Sequence, residues 1–285
     1  PELRNEIDPK LQQAFDRGSE LGVYAQKLFP GGTDASPETP FKYQESVRNT
    51  AELVAGGVPV IYEAAFQYDG VLSAIDILVF KDGEWNAYEV KSSTGVSDTY
   101  ILDAALQYYV MVNSGIPLRD IFIVHVNNQY IRHGDIDVFS LFMAQSVLGE
   151  VLERQEFIAE SIVILKQVLK QKQAPAVDIG LHCGDPYDCD FKAYCWRHVP
   201  DNSIFDIAGL HKKKMFELYN DGIVRLEDIP NDYKLNDAQR LQVECYMDGH
   251  THIDSNAIRS FINELSYPLY FMDFETFNPA IPLFD

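Results

Sequence analysis

Apolar residues in the first part of the chain recur at two spacings, and the changes between them mark out the elements. Helical spacing covers residues 8–29, up to the breaker Phe29-Pro30-Gly31-Gly32, and resumes over 41–55, up to Gly56-Gly57. The polar stretch 33–40 between them carries Pro37 and Pro40 and reads as a loop. Residues 58–66 (VPVIYEAAF) read as a strand and Tyr68-Asp69-Gly70 as a turn. Residues 71–80 (VLSAIDILVF) are almost continuously apolar, which predicts a strand buried on both faces. A turn at 81–84 leads to a third strand, 85–92 (WNAYEVKS). Residues 98–113 predict a helix ending near Gly115 and Pro117, and 120–127 (DIFIVHVN) a fourth strand. Helical stretches follow at 136–152 and 155–172. This order predicts an α/β fold, a central mixed β-sheet flanked by helices. After Cys195 the spacing shortens. Residues 203–265 read as short helices punctuated by Gly209, Gly222 and Gly249, a helical spacer, and 268–275 (PLYFMDFE) returns to strand character.

Composition narrows the classes. Hydrophobic residues make up 46% of the 285, which excludes disorder as the overall state. No run of about 18 apolar residues is present, so no membrane-spanning helix is expected. The net charge is −20, and residues 51–150 hold thirteen acids against Lys81, Lys91, Arg119 and Arg132. Such a surface repels phosphate backbones at long range, which excludes binding nucleic acid by charge alone. It is either a solubilising surface or a site that recruits divalent cations. Four cysteines are too few for a disulfide scaffold, and a reducing, cytoplasmic compartment is expected. The chain opens on Pro1 rather than Met, so residues before it are expected.

Asp76 is the most informative residue, a carboxylate inside an apolar strand, where an unpaired charge costs several kcal/mol. Glu89 and Lys91 share one face of the next strand. Closing the hairpin at 81–84 sets Phe80 opposite Trp85 and Asp76 opposite Glu89, with Cβ atoms about 4.5–5.5 Å apart. Facing carboxylates repel unless a cation sits between them, and oxygen ligands on adjacent strands suit Mg²⁺ or Mn²⁺. An ammonium beside them, Lys91, positions a metal-bound water or stabilises charge on a phosphoryl oxygen. The alternative is a buried Asp76–Lys91 ion pair with Glu89 at the rim.

Asp76, followed after a short turn by Glu89-Val90-Lys91, resembles the PD-(D/E)xK nuclease signature. IYEAAF, AIDILVF, YEVKSSTGVSD and DAALQYY are similar to its RecB-like branch, which includes iron–sulfur exonucleases of CRISPR adaptation. The resemblance implies a restriction-endonuclease-like core in which Asp76, Glu89 and the Val90 carbonyl hold metal, Lys91 is catalytic and Gln107 supports the site. Tyr108 or Tyr109 would lie near Gln107, although Met stands at position 111, where the branch spacing expects Tyr. A further acid would come from upstream, with Glu45, Glu52 and Glu63 as candidates.

Cys183, Cys189 and Cys195 are evenly spaced, and three thiolates this close can ligate soft metals. The spacing departs from the CxxC of zinc ribbons. The RecB-like branch implies that they hold a [4Fe-4S] cluster with a fourth cysteine from far upstream, stapling the two ends of a nuclease domain over 1–200. Residues 1–60 contain no cysteine, which leaves Cys245 or a residue preceding this sequence. Residues 209–229, with Lys212, Lys213 and Lys214, loosely resemble a helix-hairpin-helix module within a 201–266 spacer. Asp273 and Glu275 resemble the first motif of a DnaQ-like exonuclease, so 267–285 would hold its first strand only. Together these parts resemble a bacterial family predicted to join a RecB-like nuclease to an RNase H-like exonuclease. The expectation is a metal-dependent nuclease, with DNA single strands or ends as its partner. The alternatives are a catalytically inactive nucleic-acid-binding or scaffold module and a protein with a structural iron–sulfur or zinc centre.

Overall fold

The computed structural model describes residues 4–5, 9–39, 41–275 and 279–285. Asp8 at the expected start of the first helix, Pro40 in the expected loop, and residues 276–278 of the terminal stretch lie outside the described residues. Two units are present, one formed by residues 9–175 with 279–285, the other by 4–5 with 176–275.

The first unit is built on a six-stranded mixed sheet. Its elements are α1 (Pro9–Ala25), β1 (Thr33–Asp34), α2 (Tyr43–Ala55), β2 (Val60–Tyr68), β3 (Val71–Lys81), β4 (Glu84–Lys91), α3 (Asp98–Asn113), β5 (Leu118–Val126), α4 (Val138–Leu141), β6 (Phe142–Ser146), α5 (Leu148–Glu153) and α6 (Gln155–Leu169). The strands lie in sequence order. The β1/β2 and β4/β5 pairs are parallel and the others antiparallel. Two-residue turns, Asp69-Gly70 and Asp82-Gly83, close β2–β3–β4, and all four turn residues have positive φ. This is the geometry for which Asp-Gly is the favoured pair, because its twist matches that of the strands. Helix α3 starts at Ser97, whose side chain accepts the Tyr100 N–H, and crosses over to place β5 parallel to β4.

Each face of the sheet carries its own core. Ile61, Phe66, Leu78, Trp85, Ile121 and Ile123 pack under α3, α5 and α6. Tyr62, Ile77, Val124 and Val126 pack with Leu21 and Ala25 of α1, Leu141 of α4, and Ile281 from the returning tail. The assignment of residues to faces exposes an irregularity. The β2–β3 register is the same on either side of Glu63 and Asp76, with Tyr62 paired to Ile77 and Ala64 to Ile75. Yet Ile61 and Ala64 share one face, as do Ile75 and Leu78. Strict alternation would put the members of each pair on opposite faces. Each strand therefore carries one extra residue at the same level, Glu63 with φ +53 and Asp76, and alternation flips across both.

Four expectations need correction. The loop at 33–40 contains β1, which pairs with β2. The helix expected over 136–152 is split by β6, because residues 142–146 pair with the edge of β5. Strand β3 is deeply buried only around Ile75–Leu78, while Leu72 and Phe80 reach the surface. Between those ends the strand is buried on both faces, with Ile75 and Leu78 in one core and Ile77 in the other. The boundary placed at 200 falls between 175 and 176.

The second unit contains α7 (Lys192–Trp196), α8 (Lys212–Asn220), α9 (Asp237–Asp248) and α10 (Ser255–Glu264). The cysteine stretch belongs here because Cys183 packs with Ile179 and Phe216 of α8, joined by Cys195 and Trp196. Ile204, Ile207, Leu210, Leu218 and Leu226 form a neighbouring cluster. Residues 268–275 form no strand; Asp273 and Glu275 are exposed and outside regular structure.

Candidate active site

The β3–β4 ladder runs from the Lys81–Glu84 pair to the Ile77–Tyr88 pair, the register expected from closing the hairpin. Continued by one step, it sets Asp76 level with Glu89, and the β2–β3 register sets Glu63 level with Asp76. Three carboxylates thus form a row across β2, β3 and β4 where the backbone ladders are interrupted. Asp76 Oδ2 accepts the Val90 N–H at 2.5 Å.

Lys91 follows on the Glu89 face of β4. Its Nζ donates to Glu89 Oε1 at 2.8 Å and to Asp103 Oδ2 at 2.5 Å, and lies 5.5 Å from the centre of the Tyr100 ring. Tyr100, Asp103 and Gln107 recur at three and four residues along α3, so one helical face supplies all three. Gln107 Nε2 donates to the Ala74 carbonyl at 3.2 Å. Glu89 is 8% exposed and Gln107 5%. Neither Glu89 Oε2 nor Gln107 Oε1 has a hydrogen-bond partner among the described residues.

The electrostatics follow from burial and crowding. Burial, then the charges of Asp34 and Glu89, pushes the Glu63 carboxyl up to about 7. Burial likewise raises the Asp76 carboxyl, aided by Glu63 and only partly opposed by the Val90 N–H. Burial and the neighbouring Asp76 raise Glu89. Burial alone would lower the Lys91 ammonium, but Glu89 and Asp103 together outweigh it and hold it above its ordinary value. The lysine is therefore a fixed cation, and the carboxyls beside it retain protons unless another cation arrives.

Several residues read from the sequence stand elsewhere. Lys91 pairs with Glu89 and Asp103 rather than Asp76, and Glu89 is buried rather than at a rim, so the alternative ion-pair arrangement is not the one seen. Glu45 and Glu52 are exposed on α2, with Glu45 3.6 Å from Lys42; the buried side of that helix is formed by Ser46 and Thr50. Tyr109 meets Tyr68 edge-on and Tyr108 packs on the same core. Asp103 and Asp34 were not anticipated. For Asp103 the signal was present, four residues before Gln107 on one helix.

All four cysteines are free. Among the described residues no three His, Cys, Asp or Glu side chains stand together as a set that could hold a metal. Cys183, Cys189 and Cys195 all lie in the second unit, Cys183 buried and the other two half-buried. Residues 4–5 do reach this stretch, through an Arg4–Asp190 ion pair of 2.8 Å and an Asn5 N–H bond to the Asp190 carbonyl of 2.6 Å. Lys212, Lys213 and Lys214 are exposed at the start of α8. Among the described residues no helix is long and apolar enough to cross a membrane.

No protein-family model matches this chain, and neither does any curated protein.

Proposed function

We propose that the sheet unit is a divalent-metal-dependent nuclease that hydrolyses phosphodiester bonds, with DNA as its substrate. The observation that carries this reading is Glu89 Oε2, a buried carboxylate oxygen with no donor among the described residues, level with Asp76 and beside an ammonium. Such a group costs several kcal/mol unless a proton or a cation completes it. The donors are all oxygens, two carboxylates with the Val90 carbonyl adjacent, which fits Mg²⁺ or Mn²⁺ because these ions keep several waters. When bound, the ion would polarise a phosphoryl oxygen and acidify a water.

The chain's own groups supply the rest. Asp76 and Glu89 hold the cation, and the Val90 N–H fixes the rotamer of Asp76. Lys91 has three N–H donors, two of them committed to Glu89 and Asp103. The third reaches an attacking water or the phosphoryl oxygen where negative charge develops. Gln107, anchored through its amide nitrogen to the Ala74 carbonyl, supports the site from α3 and keeps a buried oxygen without a hydrogen-bond partner among the described residues. With thirteen acids against four bases over 51–150, the substrate is drawn by the cation and not by the surface. Four free thiols suit a reducing compartment.

Labelled single- and double-stranded DNA incubated with Mn²⁺ tests this. Wild type should cleave, and Lys91→Ala should fall by about 100-fold or more in kcat. Equal cleavage by both proteins would remove the proposal. DNA binding without cleavage by wild type would point to a catalytically silent module.

A further inference from the structure

Asp103 is no part of the Asp–Glu–Lys signature, yet it makes the shorter of the two bonds to Lys91. An ammonium and a divalent cation both seek the Glu89 carboxylate, so a lysine resting on Glu89 alone would compete with the metal. A second carboxylate on the far side of Nζ shares the ammonium and relieves that competition. The Asp103 side chain is 40% exposed, so replacing it leaves no deeply buried orphan.

We propose that Asp103 is a positioning residue: it shares the Lys91 ammonium with Glu89, so that Glu89 Oε2 is left to a divalent cation, and aims the remaining N–H at the reacting centre. The last part rests on the nuclease reading; the first two do not.

The test uses the full metal-free chain. Mn²⁺ is titrated by electron paramagnetic resonance without nucleic acid, and DNA cleavage is measured separately. Asp103→Asn should weaken Mn²⁺ binding by about 10–100-fold, the usual effect of losing a group that orients a metal ligand. Its kcat should fall by a similar factor while KM for DNA changes little. Asp103→Glu should recover most of both. Asp98→Asn, at an exposed carboxylate on the same helix that pairs with Arg154 at 3.0 Å, should change neither. A purely structural role would lower Tm without altering the Mn²⁺ affinity of the folded protein. Wild-type Mn²⁺ affinity in Asp103→Asn, or an Asp103→Glu variant no better than Asp103→Asn, overturns the proposal. If wild type binds Mn²⁺ but cleaves no DNA, the nuclease reading fails, and the titration still decides the role of Asp103.

Discussion

Glu89 and its neighbours tie the folded state to protons and cations. The Glu63 carboxyl moves from an ordinary 4.5 up to about 7, and Asp76 and Glu89 move in the same direction. Between those limits the folded chain holds protons that the unfolded chain has released. Stability of the metal-free protein therefore falls as pH rises through that window. Tm without metal should drop from about pH 5 to about pH 8, and Mn²⁺ should restore it at the higher pH but not at the lower. Glu89→Gln removes a buried charge. It should raise the metal-free Tm at about pH 8, by about 2–4 °C per kcal/mol recovered, and abolish the response to Mn²⁺. Thermal melts at both pH values check this, and a flat metal-free profile in wild type would contradict it.

At the scale of elements, the decisive feature is the matched extra residue in β2 and β3. Glu63 holds φ +53, a conformation that costs an L-residue about 1–2 kcal/mol. Glu63→Gly should therefore be more stable than Glu63→Ala by about 1 kcal/mol, read from urea midpoints at unchanged slope. The hairpin register was legible beforehand because Asp82-Gly83 admits one tight turn, and Asp76 opposite Glu89 followed from counting. The flip at Glu63 and Asp76 was not legible, since an apolar run such as AIDILVF looks the same with or without it. Strands β1 and β6 escaped for another reason. Two residues carry no periodicity, and FMAQS is too short to separate strand from helix until the free edge of β5 claims it. Asp103 could have been found from its spacing to Gln107 on one helix face, but its bond to Lys91 depends on which face α3 turns to β4, a matter of tertiary packing.

At the scale of the molecule, the boundary near 175 is set by contacts distant in sequence, the burial of Cys183 against Phe216, which no local composition shift announces. The linker 171–178 is exposed and irregular, and it contains Lys172. Limited trypsin should cut there early. The two pieces should still co-elute in gel filtration, because residues 279–285 on the distal piece remain seated on the sheet unit. Ile281 is buried there, Arg132 donates to the Pro282 carbonyl at 2.9 Å, and the Gly134 N–H bonds to Asp285 at 2.9 Å. Ile281→Asp should let the nicked pieces separate, and separation without that substitution would contradict the docking.

The seat of Ile281 also bears on how the chain is made. Translation delivers the strands and α1 early, but one side of the sheet waits for a residue that emerges roughly 100 positions after the linker, a delay on the order of 5–20 s at ordinary elongation rates. During that interval Leu21, Val126 and Leu141 line a gap that the nascent polypeptide has not yet plugged.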